Sequence, residues 1–157
     1  LPTDPRPLAA IEEHDLIPFR ALAPKLAALM PAHIIFPALD HNPVGFSATW
    51  LQTFLRKKMG FEGLLISDDL SMAGAAFAGD YPARAQMALE AGCDGILVCN
   101  QPAKAQHVIE FLEAKNHKTN GRLQSLQATN KLPLAQVQNT QAWQDANELI
   151  HRYLAIN

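Results

Sequence analysis

What this sequence lacks narrows its function before any motif is read. It has no excess of basic charge: 13 Lys and Arg stand against 15 Asp and Glu, leaving a net charge of −2. Without a positive field to neutralise phosphates, nucleic-acid binding is excluded. Long hydrophobic runs are missing as well. The best apolar stretch, Leu26 to Leu39, is cut by Pro31, His33 and Pro37, far short of the roughly 18 residues a membrane helix needs. Charged residues make up only 18% of the chain, which leaves less solvated surface and more sequence to bury. Cysteine is scarce: Cys93 and Cys99 flank one short apolar run. If that run is a strand, the two lie about 20 Å apart, beyond the reach of a disulfide. Two free thiols fit a reducing compartment. Eleven prolines and eight glycines are too few for a disordered or fibrous chain.

What the sequence does have is an alternation of short apolar runs and helical patterns. The runs Ala32 to Phe36, Gly63 to Ser67 and Gly95 to Cys99 read as strands covered on both faces. Ser47 to Met59 reads as a helix, with Ser47 as N-cap, the stripe Trp50, Leu51, Phe54 and Leu55, cations at 56–58 and Gly60 as stop. Pro82 to Ala91, ended by Gly92, and Pro102 to Lys115 read as two more. An earlier helix over Leu8 to Ala23 should break at Pro18. A spacing of about 31 residues between strands matches the βαβ unit, whose strands are parallel. Three strands do not close a sheet, and a βα barrel needs eight. The reading is therefore the C-terminal part of a longer α/β chain, with the start lying before Leu1. After Lys115 come a polar loop over 116–119, a short helix near Arg122 to Ala128 and a last helix near Gln138 to Ala155, expected to cover the strands.

In parallel α/β folds chemistry gathers beyond the C-terminal strand ends. Here those ends carry Asp40, His41 and Asn42, then Ser67-Asp68-Asp69-Leu70-Ser71-Met72, then Cys99-Asn100-Gln101. The adjacent carboxylates Asp68 and Asp69 are the sharpest feature. Alternation along a strand lets at most one of them face a central crevice. Each has a plain alternative, capping the following turn, and the pair has a third, holding magnesium through oxygen. His33, in or just before the first strand, reads either as a hydrogen-bonded core residue or as one that orients a site residue. Met72 opens a small-residue segment that either covers a site or packs on the sheet.

Several segments, taken in order, resemble one family. They are Met30-Pro31-Ala32-His33-Ile34, Gly45-Phe46-Ser47, Trp50-Leu51, Leu55-Arg56, Gly60-Phe61-Glu62-Gly63, Ser67 to Met72, Ala91-Gly92-Cys93-Asp94 and Leu97-Val98-Cys99-Asn100. Together they resemble bacterial β-N-acetylglucosaminidases of glycoside hydrolase family 3. Asp4-Pro5-Arg6-Pro7 is similar to the segment that follows the catalytic loop of those enzymes. The resemblance implies a (β/α)₈ TIM-type barrel about twice this length, of which residues 1–157 are the C-terminal part of one catalytic domain. It implies a retaining hydrolase that removes terminal β-linked N-acetylglucosamine from muropeptides during cytoplasmic cell-wall recycling, a step that feeds β-lactamase induction. Asp68 would be the nucleophile and Asp69 its support. His33, Met72 and Asn100 are the substrate-side candidates. No cofactor or metal is implied. The family's acid/base, a histidine paired with an aspartate on a glycine-rich loop, is absent here, as are the residues that grip the sugar. These precede Asp4 in the family, so the N-terminal part of the same protein is the expected partner. Two other readings stand beside this one: a magnesium-dependent barrel lyase or aldolase using Asp68 and Asp69, and a non-catalytic sugar-binding fragment.

Overall fold

The structure, a computed structural model, describes residues 1–118, 121–127 and 132–156. Residues 1–126 form one compact unit and the chain after Leu126 a second. In the first unit three parallel strands, β1 (Ala28–Leu29), β2 (Leu64–Asp69) and β3 (Gly95–Leu97), pair in the order β1-β2-β3. Helices lie in the crossovers, as the βαβ spacing predicts.

The first strand is displaced from its expected place. Pairing with β2 occurs at Ala28 and Leu29, ahead of Pro31, not over 32–36. Proline has no N–H to give the ladder, and the chain leaves the sheet there. Ala32 to Phe36 then turns: Ile34 N–H donates to Ala32 O, and Ile35 and Phe36 make only isolated bridges, to Thr3 and Asp40. These residues are apolar because Ile34 and Phe36 pack against the core, not because they form a strand. β2 runs two residues past its expected end and takes in both aspartates.

The helix Thr49–Lys58 is a π-helix that buries the expected stripe of Trp50, Leu51, Phe54 and Leu55. Ser47 caps it: its Oγ accepts the Trp50 N–H at 3.0 Å and donates its own proton to Asp40 at 2.5 Å. The second crossover helix, Tyr81–Ala91, starts at Asp80, whose carboxylate accepts the Ala83 N–H at 2.9 Å. It ends at Gly92, whose φ of 118° a side chain would strain. The helical pattern near the N-terminus breaks between Asp15 and Ile17, just ahead of Pro18. Pro102–Ala114 buries Val108 but leaves Ile109 exposed.

Phe46, Trp50, Leu51, Phe54, Phe61 and Leu65 form the centre of the core between sheet and helices. An ion pair lies at its edge, and the half-exposed Arg122 also approaches the same carboxylate at 3.5 Å. Arg56 donates to the Asp94 carboxylate at 2.6 Å and to the carbonyls of Phe61 and Gly63, while Asp94 also accepts the Leu65 N–H at 2.8 Å. Burial draws the Arg56 guanidinium down from its ordinary value, and Asp94 opposes that pull. Cys93 is buried, and its thiol is pushed up to about 12 by that burial.

Past Lys115, a short 3-10 helix, Gly121–Leu126, replaces the helix expected near 122–128. Thr119 and Ala128 lie outside the described residues. The second unit holds the helices Leu134–Gln138 and Gln141–Ile156. On the longer of these, Trp143, Ile150, Tyr153 and Leu154 are exposed.

Candidate active site

Alternation along β2 sorts its side chains. Leu65 and Ser67 are buried, with Leu65 in the helix-facing core, so Ile66 and Asp68 point to the opposite face. Ser67 Oγ accepts the Leu97 N–H at 3.0 Å and ties β2 to β3. The half-buried Asp68 follows directly.

The two carboxylates do different work. Asp68 Oδ1 accepts the N–H of Asp69 at 2.8 Å, which anchors one carboxylate oxygen. Among the described residues, Asp68 Oδ2 has no hydrogen-bond partner. Asp69 is engaged on every side. Its Oδ1 accepts the Ser71 N–H at 2.8 Å and the Cys99 N–H at 2.9 Å, and its Oδ2 accepts the Ser71 hydroxyl at 2.5 Å. Its carbonyl accepts the Met72 N–H at 3.1 Å and lies 3.0 Å from His33 Nε2. Asp69 thus makes the turn that sequence allowed either aspartate, and it also crosses to the end of β3.

Burial pushes the Asp69 carboxyl up, but the hydrogen bonds from Cys99 and Ser71 outweigh it and hold the group below the ordinary carboxylate range. A depressed carboxylate stabilises the fold in its ionised form. That contribution is complete above about pH 4, the value of an unfolded aspartate, and fades as pH falls through the lower folded value. In urea titrations the stability gap between wild type and Asp69→Asn should be widest near neutrality and narrow steadily below about pH 4. A gap independent of pH would contradict this.

His33 is brought to the aspartates, and Met72 stands beside them with its side chain about half exposed. Asn100 lies past the end of β3 in a left-handed conformation, φ 57°. Arg84 was not foreseen. From the helix Tyr81–Ala91 its guanidinium donates to the carbonyls of Leu70 at 2.7 Å and Gly79 at 2.8 Å, strapping both ends of the segment after the aspartates. Nothing in its local sequence marks it, because its partners are backbone atoms brought close only by the fold. Among the described residues no three His, Cys, Asp or Glu side chains converge on a common point.

A strand-end carboxylate with one oxygen held and the other open, beside a second carboxylate spent on the turn, sits where parallel βα barrels gather their chemistry. Comparison with known proteins gives the family. Residues 1–144 match the model of the glycosyl hydrolase family 3 N-terminal domain. The chain belongs to this family, and its three strands and their helices are part of a TIM-type barrel. A beta-hexosaminidase of Tolumonas auensis is 46% identical over 151 residues, which cover 95% of this chain and 44% of that protein. One from Methylococcus capsulatus is 42% identical over 156 residues, 98% of this chain and 47% of the relative. Native NagZ from Neisseria gonorrhoeae superposes with a TM-score of 0.74 at 39% identity, covering 93% of this chain and 43% of that one. The chain thus spans less than half the length of these relatives.

Proposed function

We propose that residues 1–157 are the C-terminal part of a family 3 catalytic barrel. The complete protein would be a retaining β-N-acetylhexosaminidase in which Asp68 is the nucleophile. The observation that carries this reading is the division of labour on β2: Asp69 is saturated with donors, whereas Asp68 keeps one oxygen open. An attacking carboxylate needs that combination of fixed position and available lone pair. Saturation of Asp69 also argues against the magnesium reading, because its oxygens are already committed to N–H and O–H groups.

In this mechanism Asp68 Oδ2 attacks the anomeric carbon, and the bond to the leaving-group oxygen breaks. An acid from the segment before Leu1 protonates that oxygen. Water then cleaves the glycosyl ester and returns Asp68 to its carboxylate, with net retention. The acid/base histidine and the groups that grip the sugar would come from the rest of the family's barrel. Two features support completion by further chain. The sheet has only three strands among the described residues, where a closed barrel needs eight. Beside β1 there is also a cavity of about 370 Å³ lined by apolar residues such as Phe19, Leu29, Met30 and Phe36.

The substrate is a terminal β-linked N-acetylglucosamine on a muropeptide, and the setting is cytoplasmic cell-wall recycling. The relatives' common name, beta-hexosaminidase, and a gonococcal NagZ structure in complex with N-trifluoroacetyl-D-glucosamine support an N-acylated amino sugar. No helix among the described residues is long and apolar enough to cross a membrane.

The test uses the full-length protein and a fluorinated N-acetylglucosaminyl donor that traps the glycosyl ester. A mass increment on the peptide carrying Asp68 is expected, and turnover of a chromogenic N-acetylglucosaminide should not respond to EDTA. A label on another side chain, or loss of activity to the chelator, would overturn the proposal.

A further inference from the structure

We infer that His33 is a positioning residue for Asp68, acting through the backbone of Asp69; the inference rests on the function proposed above. A carbonyl oxygen only accepts, so at 3.0 Å from Asp69 O the His33 Nε2 must carry the proton and donate it. In the neutral ring Nδ1 is then bare. It is buried and has no hydrogen-bond partner, which leaves the contact to Asp69 as the ring's polar anchor. With only 5% of its surface exposed, His33 is too enclosed to touch a sugar itself.

Its surroundings fix the ring. Phe46 stacks on it with centroids 5.5 Å apart and planes 20° from parallel. Gly74 packs so closely that a Cβ there would lie 2.8 Å from the Cβ of His33. Gly74 is therefore small because the Cβ of His33, with the ring just beyond it, occupies the space.

The held atom matters because of what Asp69 carries. Its N–H orients the Asp68 carboxylate, its carboxylate reaches across to the end of β3, and its carbonyl is gripped by His33 from the loop after β1. The residue whose N–H aims Asp68 is thus fastened on the sides of both neighbouring strands, through its carboxylate and through the next peptide's carbonyl. Removing the β1-side fastening leaves Asp68 in place chemically but lets its aim drift. A displacement of about 1 Å at a reacting atom can cost on the order of 100-fold in rate.

The experiment measures trapping of the fluorinated donor at Asp68, and turnover of the chromogenic substrate, in full-length wild type, His33→Leu, His33→Gln and Gly74→Ala. His33→Leu keeps a similar volume and removes the donor. It is expected to slow trapping and kcat by ~10- to 100-fold with KM within about twofold. His33→Gln places an amide N–H near the position of Nε2 and should recover most of the rate. Gly74→Ala, by displacing the imidazole, should reproduce the loss. Nitrogen NMR of the wild type should show the Nε2-protonated tautomer with Nδ1 unbonded.

A folded His33→Leu protein that labels Asp68 at the wild-type rate overturns the inference and leaves the nucleophile assignment standing. So does a His33→Gln variant as slow as His33→Leu. A merely structural histidine would shift the urea midpoint in His33→Leu without this rescue pattern. A wild-type label away from Asp68 overturns the proposed function, and the inference with it.

Discussion

Asp68→Asn in the full-length protein is expected to lower turnover of a chromogenic N-acetylglucosaminide by about 1,000-fold or more, roughly 4 kcal/mol of transition-state stabilisation. The amide keeps an oxygen that can accept the Asp69 N–H, so the turn should survive. What disappears is the negative charge on the open oxygen, and with it the bond to the anomeric carbon. Unfolding in urea should be nearly unchanged, which separates lost chemistry from a lost fold. A variant that turns over at close to the native rate would remove Asp68 from the mechanism. The contrast with Asp69→Asn is informative, because that change acts on stability through the turn and its effect depends on pH.

A comparable effect of the opposite kind is expected at the core ion pair. Asp94→Ala should destabilise the fold by about 3–5 kcal/mol, because it strands the Arg56 guanidinium without its counter-charge. Arg56 has 10% of its side-chain surface exposed and Asp94 only 3%, so solvent screens the stranded charge poorly. The loss is amplified by geometry: Asp94 also accepts the Leu65 N–H, and so links the start of β3 to the start of β2. Replacing both partners by apolar residues of similar size should recover much of the stability. The readout is the urea midpoint of the single and double variants. A single variant within about 0.5 kcal/mol of wild type would show that the pair is dispensable.

Local chemistry made much of this fold readable. The Ser47 cap, the Trp50-Leu51-Phe54-Leu55 stripe and the Gly92 stop act within a few residues of one another, where sequence patterns are informative. β1 was not placed, because an apolar run bounded by prolines looks the same whether it pairs in a sheet or turns against the core. Pro31 follows the strand that does pair, at Ala28 and Leu29, and takes the chain out of the sheet ahead of Ala32. The aspartate pair was visible as a feature but not as a division of roles. Asp69 is committed partly by the N–H of Cys99, 30 residues downstream, and its carbonyl is met by His33, 36 residues upstream. Arg84 escaped notice for the same reason. No periodicity encodes a contact between a helix side chain and a distant carbonyl.

The Arg84 strap has a consequence for ligand recognition. By gripping the carbonyls of Leu70 and Gly79 it closes the intervening excursion into a ring, as a short crosslink would. The conformational entropy of that excursion is already surrendered when the chain folds. Any ligand arriving beside Met72 would meet a wall that is already set, and less of its contact energy would be diverted to freezing loose backbone.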